Sequence, residues 1–540
     1  MHKRIGVSFL LVGLLFFSSV QILMGEKLPP DVPNAQTRAI IELLKEKGII
    51  NESEAAEFIE RLNGKRQAEG TQAPTTPPID EQKPEKSAQK EVEDLQKDVQ
   101  KADDAIVNRQ RLLERRVDDL ESGTIDSLLN RAVKSQWAQR ISLKGDIRLR
   151  YQSDKFADGN QIFVRPDDTE QLLNTTEDRD RYRYRARLGM KAKLIDYREA
   201  NVGKVEAGMR LTTGNETDPV STNDTLGDTF NRDSTVFDRA YLNWSFKPTD
   251  TVWGRMPKLS IVGGRFANPW FSTDLVWDSD LNFEGAAINY LTDTQQLRPF
   301  NMFATAGIFP LQEEEFSNRD KWLWGAQIGF DYKPRFDIAF TLGAAYYDYN
   351  EIEGIQNDLT QPGVFDFTAP QFQQKGNTLM DIDPSSSYKL ALATDYNILD
   401  LYLKTNLGLF HPIQILLDTQ YVRNLGFDRD RVAEVTGNDD PVEDIDGYMV
   451  GLTVGYPEIV DFREWNIGFR YKYLGADAVP DAFTDSDFHL GGTNAKGWIL
   501  KGEYGLYRNV WLTTRWLSAD EIEGPKLGVD TLQVDINSRF

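Results

Sequence analysis

From Ile141 to the terminal Phe540 the apolar residues recur in twos. Ile141, Leu143, Ile147, Leu149 and Tyr151 interleave with Ser142, Lys144, Asp146, Arg148 and Arg150, while Tyr182, Tyr184, Ala186, Leu188 and Met190 interleave with Arg181, Arg183, Arg185, Arg187 and Lys191. Successive side chains of a strand point to opposite faces, so each segment has one apolar face and one charged face. Trp322, Trp324, Ala326, Ile328, Phe330 and Tyr332 form another apolar face, and Trp465, Ile467, Phe469, Tyr471 and Tyr473 a further one. Segments of about ten residues are the length at which a tilted strand crosses a bilayer. A soluble sandwich also buries one face, but aromatics at the ends of the apolar rows are the mark of a membrane barrel. The chain is 27% charged, and after its first residues no stretch approaches the ~20 apolar residues of a spanning helix.

The expected fold is therefore an all-β membrane protein, an antiparallel transmembrane barrel of sixteen strands. The strands are expected near 141–152, 180–194, 202–213, 236–247, 257–267, 283–292, 299–310, 321–333, 336–347, 398–409, 412–424, 446–456, 463–475, 496–506, 509–518 and 528–540. Long gaps then follow odd strands and short turns follow even ones, as a barrel with both ends in the periplasm requires. Residues 387–396 also look like a strand but would break this alternation, so they are placed inside the long outer loop 348–397. In the last strand Leu532, Val534, Ile536 and Phe540 share one face. This ending resembles the C-terminal signal of bacterial outer-membrane barrels, apart from Ser538 where an aromatic is usual. The resemblance implies a membrane-insertion signal read by the barrel assembly machinery, with outer-membrane lipid and lipopolysaccharide around the barrel.

Lys3 and Arg4 followed by the apolar run Ile5 to Val20 predict a secretory signal over 1–25. Residues 26–65 read as a periplasmic helical hairpin, in which Gly48 stops the first helix and Ser53 caps the second. Residues 66–86, with Pro74, Pro77, Pro78 and Pro84, are a linker. Over 87–135, Val92, Val99, Ile106, Leu113 and Leu120 recur every seven residues, which predicts a coiled coil although Arg109 and Arg116 interrupt its seam. The barrel is assigned to 136–540. Cysteine is absent, which fits an oxidising compartment.

The block Gly263-Gly264-Arg265-Phe266-Ala267-Asn268-Pro269, continuing through Leu275-Val276-Trp277-Asp278 to Phe283-Glu284-Gly285-Ala286, resembles the central signature of the putative porins of Gram-negative outer membranes. The resemblance covers nearly the whole chain, because members also carry an N-terminal helical segment and a coiled coil. It implies a water-filled channel for passive diffusion of small hydrophilic solutes and ions, packed as a homotrimer. It also implies that the third outer loop, with Trp270, Asp274, Asp278 and Asp280, folds inward as a constriction.

With apolar faces toward lipid, Lys144, Arg148, Arg150, Arg183, Arg185, Arg187, Arg210, Arg239 and Arg265 are expected to line the pore. The formal net charge is -22, so these cations are concentrated on one wall. Facing the loop carboxylates they would set up a transverse field with a weak anion preference. The competing reading is that the arginines pair with acids such as Glu206 and Glu284, or bind lipopolysaccharide at the rim. A barrel enzyme is a rival class, but His2, His411 and His489 are the only histidines and assemble no triad. No zinc spacing or phosphate-cradling loop is present, so neither metal nor cofactor is expected, nor a nucleic-acid partner. A tether or adhesin contacting the cell wall through residues 26–135 is the remaining alternative.

Overall fold

The computed structural model describes residues 140–165, 171–195, 203–246, 257–292, 299–315, 317–383, 385 and 388–540. The predicted signal, helical hairpin, linker and coiled coil all lie outside the described residues. Sixteen long strands make the barrel. They are β1 (Ile141–Phe156), β2 (Arg179–Ile195), β3 (Lys204–Thr212), β4 (Val236–Ser245), β5 (Lys258–Ala267), β6 (Asn282–Leu291), β7 (Phe300–Gln312) and β8 (Lys321–Arg335). The second half comprises β9 (Ile338–Asn350), β10 (Asn397–Phe410), β11 (Ile413–Asn424), β12 (Asp446–Gly455), β13 (Trp465–Leu474), β14 (Ala495–Tyr507), β15 (Val510–Glu521) and β16 (Gly528–Arg539).

Each strand pairs antiparallel with its neighbour, and β1 pairs with both β2 and β16, so the sheet has no free edge. Closure is what lets strands cross a bilayer, since every backbone N–H and C=O then has a partner. The two-residue segment Asp224–Thr225 adds against β2 at the rim. The alternation expected from sequence is realised: Leu143 and Leu149 are 64% and 54% exposed on the outer face, while Arg150 between the lipid-facing rows is 3% exposed. At β16, Gln533, Asp535 and Asn537 are buried inward while Leu532, Val534 and Ile536 face outward.

Outer loops are named L1 to L8 after the odd strands. In L5 (351–396), Leu379–Asp381 and Leu390–Leu392 form a separate two-stranded sheet, which places the ambiguous segment 387–396 in a loop as expected. L6 (425–445) carries a helix not anticipated from sequence, α1 (Arg429–Thr436). The Asp428 carboxylate accepts from the backbone N–H of Asp430 and of Arg431 at its start, and Gly437 at φ 67° ends it. Val432 of α1 packs with Met380, Ile382 and Ala391 of L5.

The largest apolar cluster lies inside the barrel rather than on its lipid face. Val262 and Phe266 of β5, Phe283 of β6, Phe309 of β7 and Tyr347 of β9 meet Trp270, Leu275 and Trp277 of L3 (268–281). An apolar patch on the inner wall is thus covered by the inward-folded loop.

Candidate functional site: an arginine wall and two inward loops

The register of β1 and β2 sets Arg148 directly opposite Arg185, and Arg150 opposite Arg183. The register of β3 and β4 sets Arg210 opposite Arg239. Like charges at facing positions cost stability, so this arrangement has no origin in strand pairing itself.

L3 crosses from this wall to the far side of the barrel. Trp270 packs edge-on against Phe309 and Tyr347, with centroids 6.0 and 5.2 Å apart. Gln327 of β8 clasps Phe271, its amide oxygen accepting the Phe271 N–H and its amide nitrogen donating to the Phe271 carbonyl, both at 2.8 Å. The Thr273 N–H then donates to Gln420 of β11 at 3.2 Å. Asp274 reaches β13, where it pairs with Arg470 at 3.3 Å and Lys472 at 3.7 Å. Burial alone would push Asp274 up, but these two cations outweigh it and hold the carboxyl at about 2. The loop returns to the arginine wall at Asp280, which pairs with Arg185 at 3.3 Å and Arg187 at 3.2 Å and accepts from the Thr222 hydroxyl at 2.8 Å.

L7 (475–494) is a second inward loop that the sequence reading missed. Its Asp487 joins Arg150 at 3.1 Å to Arg515 of β15 at 2.7 Å, and its Asp485 pairs with Lys472 at 3.4 Å. The two loops are stitched together: the Ser486 N–H donates to Asp278 at 3.0 Å, and the Asp278 N–H donates to the Phe483 carbonyl at 2.8 Å. Burial and the neighbouring Asp485 and Asp280 carboxylates push the Asp278 carboxyl well up.

Three cavities follow the wall. The outer one, about 490 Å³, is bordered by Arg181, Arg183 and residues of L1, L5 and L7. The central one, about 480 Å³, is bordered by Arg148, Arg150, Asp274, Asp278 and Asp280, with Asp485 and Asp487. The inner one, about 450 Å³, is bordered by Lys144, Arg185, Arg187, Arg210 and Arg239 near the short-turn end. Outer and central cavities share Val220, Ser486 and Asp487, and central and inner ones share Trp511 and Asn537.

Eight of the nine expected wall cations therefore border these cavities, and the three loop acids reach the interior. Arg265 does not. Its cross-strand neighbours are Ala240 and Glu284, on the face that carries the exposed Leu242 and Ile261. There it pairs with Glu284, the partner that the competing reading named. The reason is that β5 turns Phe266 inward onto the aromatic cluster under L3, so apolar-to-lipid parity fails on this strand. Trp270 is 6% exposed and anchors the loop rather than facing an opening. The cations Arg470, Lys472 and Arg515 were legible by the same parity rule, since they alternate with outward residues such as Phe469, Tyr471 and Trp516. The L7 acids carried no such signal.

A closed barrel with an apolar exterior, a charged interior and a loop folded into that interior is the architecture of an outer-membrane channel. The Putative porin family model matches residues 34–540, and the chain belongs to that family. No curated protein matches its sequence. Among solved structures it is similar to Pseudomonas putida OprB, at 12% identity over 78% of this chain and 97% of that one with a TM-score of 0.44. Salmonella typhi OmpF in complex with daunomycin is 13% identical over 74% and 97%, with a TM-score of 0.40. The outer-membrane channel DcaP of Acinetobacter baumannii is 11% identical over 74% and 97%, with a TM-score of 0.38.

Proposed function

We propose that the protein is a passive, water-filled channel for small hydrophilic solutes and ions with a weak preference for anions. The supporting observation is that each of the three successive cavities has one wall arginine that, among the described residues, is hydrogen-bonded to neutral partners and to no carboxylate. In the outer cavity Arg183 contacts Gln152 and Ser221 at 3.4 Å each, in the central one Arg148 contacts Asn223, and in the inner one Arg239 contacts Asn282 at 2.7 Å. Neighbouring strands are about 4.8 Å apart and the Debye length at physiological salt is about 8 Å, so these charges act together with their neighbours as one surface. The carboxylates of L3 and L7 offset most of that potential, which keeps the preference mild.

Reversal potentials across a planar bilayer in a salt gradient test this reading. The parent is expected to favour anions slightly, and Arg185→Glu combined with Arg239→Glu to shift the potential toward cations. An unchanged potential in the double variant would remove these arginines from the conducting path.

The same reading includes a homotrimer. It is supported by the heptads over 92–120 and by a shallow apolar depression on the outer face, where Ala286, Ala306 and Ala326 lie between Trp324 and Tyr346. Cross-linking of the full chain in membranes is expected to trap a trimer; monomer alone would refute it.

A further inference from the structure

The inner cavity contains a cationic niche whose floor is a glycine. Lys144 of β1 lies opposite Gly189 of β2, Gly189 opposite Arg210 of β3, and Arg210 opposite Arg239 of β4. These four positions form one row across the wall, about 14 Å wide at the spacing of adjacent strands. Arg187 and Lys191 stand two residues to either side of Gly189 on the same face, about 7 Å away along the strand. Every lumen-facing position of β2 around Gly189 is thus cationic, and the row is recessed at Gly189 alone.

Packing does not impose the glycine. A Cβ built on Gly189 would meet nothing nearer than the Lys144 carbonyl at 3.6 Å, which is ordinary contact. A side chain there would have room at ordinary contact distances, and the glycine borders the same cavity as Lys144, Lys191, Arg210 and Arg239. The surrounding charge is also not cancelled. Arg187 pairs with Asp146 and Asp280, and Arg210 with Asp238. Among the described residues, however, Lys144, Lys191 and Arg239 form no ion pair, and Arg239 has only its Nε engaged, by Asn282.

Two planar guanidinium groups and two ammonium groups around a recess suit the oxygens of an oxyanion, to which arginine donates in pairs and lysine as a point charge. One negative charge would engage only part of the row. We propose that this niche binds a small oxyanion carrying two or more negative charges, a polycarboxylate or a polyphosphate, and so holds such solutes at the inner end of the channel. The proposal rests on the channel reading for its biological meaning, but binding can be measured without conduction.

The experiment is calorimetric titration of the purified full-length protein in detergent with citrate and, separately, with inorganic pyrophosphate. At least one is expected to bind, with chloride and acetate competing weakly. Lys144→Gln combined with Arg239→Gln is expected to weaken binding at least tenfold, and Gly189→Leu, which fills the recess without altering charge, to weaken it comparably. Binding of citrate alone assigns the niche to carboxylates, of pyrophosphate alone to phosphates, and of both to charge; each supports the proposal. Absence of binding by the parent, or binding unchanged in both variants, overturns it. Single-channel recording separates the two readings. A chain that binds without conducting refutes the channel and leaves the niche, whereas one that conducts without binding refutes the niche alone.

Discussion

Asp278 is a residue whose surroundings act directly on its ionisation. It is 5% exposed, Asp280 is two residues on, and Asp485 of L7 lies close by. Burial and both neighbours oppose its charge, so it takes up a proton at a pH where exposed carboxylates, with their usual values near 4, remain ionised. Protonation removes a negative charge from the central cavity and leaves Arg148 and Arg150 less opposed. The anion preference is therefore expected to rise as pH is lowered through the range in which Asp278 takes up its proton, above that of exposed carboxylates. Asp278→Asn, which cannot titrate, should flatten that rise. Reversal potentials recorded across this range test the assignment, and an equal slope in the variant would place the titrating group elsewhere.

At the scale of elements, L3 and the strands were legible to different degrees for a physical reason. A strand between lipid and water must alternate, so parity, together with the alternation of long and short connections that set 387–396 aside, located all sixteen strands, and parity assigned Arg148, Arg150, Arg185 and Arg239 to the inner face. Parity failed at Arg265 because part of the inner wall is itself apolar, a condition set by Trp270 and Trp277 of a loop distant from most of what they cover. The clasp of Phe271 by Gln327 and the bridge from Asp487 to Arg150 and Arg515 join residues with no common period, and no sequence pattern announces them. Trp270 carries the testable consequence. Its ring meets Phe283, Phe309 and Tyr347, and the ideal Cβ position of Gly325 lies 2.6 Å from it, so glycine there makes room for the indole. Trp270→Ala should cost about 3–5 kcal/mol, the usual range for emptying a large aromatic site. It should also free L3 from its inner-wall anchor, giving higher and noisier single-channel conductance. A variant with the parent's melting temperature and a quiet, unchanged conductance would show that Gln327 and Asp274 hold the loop without it.

For the whole molecule the decisive step is closure, because an open sheet edge cannot remain in lipid. Closure joins the two ends of the barrel's sequence. The Gly145 N–H donates to the Phe540 carbonyl at 2.9 Å and the Phe540 N–H to the Gly145 carbonyl at 3.0 Å, extending the ladder between β1 and β16 by one further pair. The Phe540 ring lies over Gly145, where a Cβ would sit 2.5 Å from the ring edge. Glycine at 145 and phenylalanine at 540 are thus one device: the ring covers the strand position that lacks a side chain, on the outward face between Leu143 and Ile147. Removing Phe540 deletes two backbone hydrogen bonds, each contributing about 0.5–1.5 kcal/mol net, together with the ring's cover. Gly145→Val leaves the terminus intact but drives the ring off its seat. Both variants are expected to lower the fraction of chains that fold into lipid vesicles, read as the heat-sensitive mobility shift of folded barrels on electrophoresis. Combining them should cost little more than deleting Phe540 alone, because residues that share one contact are not additive. Additive losses in the double variant would mean that Gly145 serves another partner and that the last residue acts on insertion by some route other than closing the seam.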